Sequence, residues 1–94
     1  MSSINVITES EVDRGWRFEC TASGDRKVTL TLQWVEYNHW CPVGNQPPSE
    51  VACAVLTFLE QAGADIPDAF DAGRVRRLHA DADSAIREAL DTTG

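Results

Sequence analysis

The sequence predicts an α+β domain, in which a three-stranded antiparallel meander is covered on one face by two or three helices. Apolar residues alternate at period two before Trp34, turn-forming segments divide that region, and a helical period begins near Pro47. A three-stranded sheet with one apolar face is unstable while that face is open to water. We therefore expect the helices to pack on this face.

The predicted strands span residues 3–12, 16–22 and 26–34. Large apolar side chains of the second and third strands share one parity: Trp16, Phe18, Cys20, Ala22, Val28, Leu30, Leu32 and Trp34. The first strand alternates more weakly, with Ile4, Val6 and Val12 on one parity. This pattern is typical of strands that are half-buried in a sheet.

Two short segments, Asp13-Arg14-Gly15 and Ser23-Gly24-Asp25, supply the turns of the meander, and Gly15 is able to adopt a positive φ. If both turns are tight, Val12 lies opposite Trp16 and Phe18 lies opposite Leu30. All the large residues are then on one side of the sheet.

The first main helix is predicted at residues 47–62, because Pro47 suits a first helical turn and Gly63 suits the left-handed position after the end. Its apolar face comprises Val51, Ala54, Val55, Phe58, Leu59 and Ala62. Asp71 then suits the N-cap of a helix that begins at Ala72.

Helical spacing continues from Ala72 to near Leu90, either as one helix or as two helices at residues 72–79 and 82–90. We favour a break near Ala80, since aspartates inside a helix are poor helix formers. Residues 1–91 make a single compact domain, and residues 92–94 are expected to fray.

An aromatic-rich segment joins the sheet to the first main helix. Aromatic residues recur at every third position of this segment, at Trp34, Tyr37 and Trp40, which is the spacing of one tight helical turn. We interpret Trp34 and Tyr37 as core residues. Trp40 and His39 lie nearer the following loop. Acidic residues flank the segment, and an apolar anchor rimmed by one sign of charge suits a basic partner. The predicted partner-binding residues are Glu36, His39, Trp40 and Glu50; the alternative is that Trp40 seals the core.

The main basic cluster comprises Arg74, Arg76 and Arg77, whereas residues 28–73 contain neither lysine nor arginine. Arg74 and Arg77 share a helical face and form a candidate patch for an anion or an acidic partner. The alternative is a solvated face whose arginines pair with local aspartates such as Asp71 and Asp81.

Composition limits the classes of function. A net charge of −7 opposes non-specific binding to nucleic acid and to anionic membranes. No apolar run approaches the roughly 20 residues that span a bilayer, and the N-terminus lacks a signal pattern, so we expect a cytoplasmic protein. Three cysteines without paired spacing favour reduced thiols.

We predict no catalytic residue, cofactor or metal. No nucleophile constellation occurs, and His39 and Cys41 are the one local pair of possible metal ligands, whereas structural zinc usually needs two close pairs. The leading hypothesis is a small acidic non-enzymatic domain that binds another protein or itself. The alternative is a small-ligand or metal-binding domain that uses the aromatic segment from Trp34 to Cys41. Nucleic-acid binding through the arginines is a third and weaker hypothesis.

Overall fold

The computed structural model describes residues 4–22, 26–44 and 46–93, with side chains up to Leu90. It confirms the α+β class and the antiparallel meander. The strands are β1 (Asn5–Val12), β2 (Gly15–Ala22), β3 (Arg26–Gln33) and β4 (Ala69–Asp71), in the sheet order β1-β2-β3-β4. The helices are α1 (Trp34–Trp40), α2 (Pro48–Gln61), α3 (Ala72–Leu78) and α4 (Ala82–Thr93).

The predicted parity of β2 and β3 is confirmed. Phe18 pairs with Leu30 in the antiparallel register. The predicted apolar face is buried, with Phe18, Cys20, Leu30 and Leu32 fully inaccessible to solvent. Helix α2 packs across β1, β2 and β3, and α4 packs on α2, α1 and α3. The apolar sides of the sheet and helices thus form one core.

The predicted register of β1 is wrong by one residue. Val12 pairs with Gly15, and Glu11 instead lies opposite Trp16. An irregularity between Val6 and Thr8 inserts one residue, which reverses the parity of the rest of the strand. Val12 therefore shares the outer parity with Gly15, while the exposed Glu11 has the parity of the core.

Gly15 belongs to β2 and not to the turn, which consists of Asp13 and Arg14. Its role is close approach rather than a positive φ. A Cβ at this position would overlap the carbonyl oxygen of Leu32 and crowd Cα of Gln33 at 2.7 Å. A glycine is needed because the backbones of β2 and β3 meet here without room for a side chain.

Helix α2 begins one residue after the predicted start and ends one residue before the predicted end. Gly63 has the predicted positive φ, at 67°. Ala62 is exposed, contrary to its predicted place on the buried face, because it lies at the C-cap beyond the covered turns. Ala52 and Leu56 are fully buried in addition to the predicted stripe. Contacts with both the sheet and α4 widen the buried surface of this helix.

The stretch after Asp71 forms two helices, so the break is confirmed. Helix α3 ends at Leu78 and α4 begins at Ala82. Asp71 is the predicted N-cap, and its Oδ1 accepts a hydrogen bond of 2.8 Å from the Gly73 amide.

The C-terminal helix α4 continues to Thr93, beyond the predicted end near Leu90. Fraying of 92–94 stays a prediction, and Gly94 lies outside the described residues. The predicted turn Ser23-Gly24-Asp25 and residue Ser3 of the predicted first strand also lie outside them.

Two elements extend the predicted scheme. The single turn expected around Trp34, Tyr37 and Trp40 is a seven-residue helix, so β3 ends at Gln33. The connector after Gly63 leads into β4, which runs parallel to β3 and pairs Phe70 with Leu30. Together, α1, β4 and α3 surround the end of β3 and position the polar side chains described next.

Candidate functional site

A polar cluster joins α1 to the start of α4 around the carboxylate of Asp83. Oδ1 of Asp83 accepts a hydrogen bond of 2.7 Å from the indole Nε1 of Trp40, and Oδ2 lies 2.8 Å from Nε2 of His39. Arg76 on α3 places its Nε 3.3 Å from Oδ1, which is an ion-pair distance without hydrogen-bond geometry. Arg87 donates from Nε and Nη2 to the His39 carbonyl, at 3.0 and 2.7 Å. The cluster therefore ties three helices together.

The electrostatics of Asp83 follow from these contacts. Partial burial disfavours its ionised form, but the hydrogen bonds from Trp40 and His39 and the positive charges of His39 and Arg76 outweigh that effect. The pKa of the Asp83 carboxyl is consequently below its ordinary value. The carboxylate is a structural acceptor that holds an indole and an imidazole in place.

Glu36 lies in α1, one turn before Trp40, and its side chain is buried, with only 7% of the residue exposed. Its Oε2 has no hydrogen-bond partner among the described residues, and a Cβ at Gly73 would overlap its Oε1. Burial raises the pKa of Glu36, and the charge of Asp71 raises it further. Positive charges nearby oppose this rise: Arg76, Arg77 and His39. Glu36 is thus packed tightly against α3 and is kept from water.

An aromatic cluster lies at the end of the sheet where β3 passes into α1. The rings of Trp16 and Trp34 have centroids 4.6 Å apart, and Tyr37 contacts Trp16 edge-on at 5.4 Å. Trp16 and Tyr37 are buried, as is usual for core aromatics, and the Tyr37 hydroxyl donates to the Gln46 carbonyl. Trp34 is 55% exposed, so its interpretation as a core residue is wrong. Trp34 is the first residue of α1, and its ring lies at the solvent-exposed side of the cluster.

A cavity of about 320 Å³ lies between the end of α2, the connector to β4, and α3. Its apolar walls come from Leu59, Ala64, Pro67, Phe70, Val75 and Leu78, and its polar lining comes from Asp65, Arg74 and His79. The ring of His79 contacts Phe58 edge-on, with centroids 5.6 Å apart. The cavity is therefore an apolar recess whose wall also carries one acidic and two basic side chains.

The predicted partner-binding residues do not form one exposed surface. Trp40 is 2% exposed, which places it in the core, and Glu36 is buried beside α3. His39 is half-buried through its contact with Asp83, and Glu50 is exposed in the first turn of α2. The exposed tryptophan of this segment is Trp34. Partner binding by His39 and Glu50 stays a prediction.

The three predicted arginines are also divided by the structure. Arg76 turns toward Asp83, Arg74 lines the cavity, and the exposed Arg77 lies near Gly73. No Arg–Asp contact involves Asp71 or Asp81 among the described residues; the aspartate that pairs with Arg76 is Asp83. Of the three, Arg74 is the one placed at an apolar recess.

None of the three cysteines forms a disulfide. Cys20 and Cys41 are buried, and Cys53 is half-buried on α2. Within residues 4–22, 26–44 and 46–93, no three His, Cys, Asp or Glu side chains are grouped so that they could hold a metal ion. In the same ranges, no helix is long and apolar enough to cross a membrane.

Sequence reasoning missed the cavity and the role of Asp83. Asp83 is 43 positions from Trp40, and its spacing resembles that of any aspartate near the start of a helix. The usable signal was the break near Ala80, because a second helix starting there brings its first-turn acid close to other elements. Comparison of the chain with protein-family models, with curated proteins and with solved structures finds no match.

Proposed function

We propose that this domain acts by binding a basic protein segment through the Trp34 surface, which we define as Trp34, Val35, and the acidic residues Glu9 and Glu11 of β1. The observation that carries the proposal is the exposure of Trp34 and Val35, at 55% and 60%. Exposed tryptophans that rest on a rigid support are frequent anchors of protein interfaces.

The support beneath Trp34 favours such a role. Its ring contacts Trp16 at 4.6 Å and Tyr37 at 6.2 Å, and its backbone amide donates to the Arg14 carbonyl at 2.8 Å. These contacts fix the indole before any partner arrives, which lowers the entropic cost of binding.

The charge around this support favours a basic partner. Glu11 and Glu9 pair with Trp16 and Phe18, so they share the sheet face on which the Trp16 ring lies, and both are exposed. Arg14 places one positive charge in the adjacent turn beside Asp13, and the whole chain carries a net charge of −7. An acidic rim mainly accelerates association with a cationic segment and excludes acidic ones.

The proposed domain is non-enzymatic and cytoplasmic. Three cysteines that form no disulfide, two of them buried, suit a reducing compartment. The alternative of ligand binding by the segment from Trp34 to Cys41 receives less support, because Tyr37, Trp40 and Cys41 are buried in the core.

The proposal is tested by selecting random displayed peptides on the purified domain, followed by affinity measurements with resynthesised peptides. We expect the selected peptides to combine an apolar side chain with lysine or arginine. Trp34→Ala should weaken their binding by about 2 kcal/mol or more, while the free energy of unfolding changes by less than about 1 kcal/mol. Val43→Ala is the control, because Val43 is 82% exposed in the loop that follows α1 and is outside the Trp34 surface.

The charge is tested by reversing Glu9 and Glu11 to lysine, which should slow association most strongly at low salt. Glu19→Lys is the control, since Glu19 is exposed on the opposite face of the same sheet. Selection of acidic peptides, or binding that survives Trp34→Ala unchanged, would reject the proposal.

A further inference from the structure

The cavity between α2, β4 and α3 has the composition of a small-molecule site that is separate from the Trp34 surface. Its floor includes Phe70 and Val75, which are 8% and 2% exposed, and Leu59, which is 3% exposed. Small-molecule sites are commonly apolar recesses of about 300 Å³ or more with a few polar groups at defined positions. The volume of about 320 Å³ meets that description.

Arg74 gives the cavity its chemical preference. Its side chain is exposed, and it lines the cavity from the first turn of α3. Among the described residues, no carboxylate is within ion-pair distance of its guanidinium, whereas Arg76 on the same helix lies against Asp83. An unpaired guanidinium beside an apolar recess is suited to bind a carboxylate, because its N–H groups match both oxygens.

The other polar groups restrict how an anion can enter. His79 follows α3 and lines the cavity together with Arg74, with its ring against Phe58. Asp65 belongs to the connector that precedes β4 and repels a carboxylate by its charge. A bound carboxylate is therefore directed toward α3, with the apolar body of the ligand against Phe70 and Val75.

The volume limits the size of the ligand. A water molecule occupies about 30 Å³ in the liquid, so 320 Å³ accommodates about ten groups of that size. We propose that this cavity binds a small organic carboxylate with an apolar body of about this size, whose carboxylate pairs with Arg74. A straight-chain carboxylate with eight carbons is a suitable probe.

The experiment is a titration of the purified 94-residue chain with octanoate, followed by amide chemical shifts and by calorimetry. We expect saturable shifts at Leu59, Ala64, Phe70 and Val75. Octan-1-ol has the same apolar body without the charge and should bind more weakly. Arg74→Gln should weaken octanoate binding by about tenfold or more and change octanol binding by less than about twofold.

Two variants serve as matched controls. Arg77→Gln removes an exposed arginine of the same helix that does not line the cavity, and it should leave octanoate binding within about twofold of the wild type. Ala64→Leu fills the cavity from a half-buried position and should abolish binding of both probes. Thermal unfolding of each variant verifies that it is folded before it is titrated.

Several results would overturn the proposal: absence of saturable binding to the wild type, equal affinity for octanol and octanoate, or equal losses from Arg74→Gln and Arg77→Gln. Shifts at these residues with an acidic peptide, but none with octanoate, would assign the cavity to a protein partner instead. The outcome is independent of the Trp34 surface, because none of these variants changes that surface.

Discussion

The indole Nε1 of Trp40 donates to Oδ1 of Asp83 across 2.7 Å, and this hydrogen bond fastens the end of α1 to the first turn of α4. It explains why Trp40, which the sequence predicted to bind a partner, is part of the core. The aromatic body of Trp40 is buried among the helices, and its one polar atom is satisfied by a carboxylate from a distant element.

Trp40→Ala should lower the free energy of unfolding by about 3–5 kcal/mol, because it removes a large buried side chain. Trp40→Phe should cost about 1–3 kcal/mol, since the ring is partly replaced but Asp83 loses the hydrogen bond from the indole. Urea unfolding measures both values. Trp34→Ala is the control at an exposed tryptophan, and an equal loss there would contradict the assignment of Trp40 to the core.

Asp83 should stabilise the fold in a pH-dependent way. Its pKa is lowered in the folded state, so its contribution is present above the unfolded value of about 3.9 and is lost as pH falls through the lower folded value. The stability difference between the wild type and Asp83→Asn should therefore be large at pH 7 and shrink below pH ~4. A difference that is constant with pH would show that the charge of Asp83 is not what stabilises the junction.

Glu36 should change the stability of the fold with pH in the direction opposite to Asp83. Burial raises the pKa of its carboxyl, so the stability present below the unfolded value of about 4.3 is lost as pH rises through the folded value. Glu36→Gln should raise the free energy of unfolding at pH 7 by about 1 kcal/mol and remove this decline. Glu50→Gln, at an exposed position, should change stability by less than about 0.5 kcal/mol. A Glu36→Gln variant less stable than the wild type at pH 7 would contradict the interpretation.

The cysteines should react with alkylating reagents in the order of their accessibility. Cys20 is fully buried, and burial raises the pKa of its thiol to about 11 with a further contribution from Cys53. Cys53 is half-buried, and burial followed by the charge of Glu50 also raises its pKa. Brief iodoacetamide treatment and mass spectrometry should find Cys53 labelled before Cys20. Earlier labelling of Cys20 would contradict the register of β2.

Gly15→Ala should destabilise the sheet by about 2 kcal/mol or more, because the new methyl group meets the backbone of β3 and no flexible side chain can move away. Gly44→Ala is an informative comparison, since Gly44 has open space around its Cβ position and its φ of 70° is the only source of strain. Denaturation midpoints measure both changes. A silent Gly15→Ala would mean that β2 and β3 lie farther apart than the structure indicates.

The sequence predicted the secondary structure best where one face of a strand or helix is buried and the other is exposed to solvent. The parity of Phe18 and Leu30 predicted their pairing, and the Asp71 cap and the break near Ala80 were recognisable from local chemistry. Each of these features depends on neighbouring residues in the chain. That is why periodicity and capping rules were sufficient for them.

The errors arose where distant parts of the chain decide the outcome. The irregularity at Ile7 leaves no clear mark in a weak alternation, and it moved Val12 to the other face. The regular spacing of the aromatic residues in α1 does not show which of Trp34 and Trp40 is buried, because burial depends on whether α4 covers the residue. β4 has only three residues, which is too short for any period to be measured. For this reason the sequence predicted a binding surface at Trp40, whereas the surface proposed from the structure is at Trp34.

The parallel pairing of β4 with β3 has a consequence for the order in which the chain folds. Thr29 and Ala69 are partners although about 40 residues separate them, whereas β2 and β3 pair residues that are close in the chain, such as Ala22 and Arg26. Closing so long a loop costs chain entropy before the contact is gained, so we expect β4 to join the sheet only after the intervening helices α1 and α2 have ordered. By the same reasoning β4 is among the first elements to open. Since Phe70 of β4 lines the cavity, we expect the recess to form late during folding and to open early during unfolding.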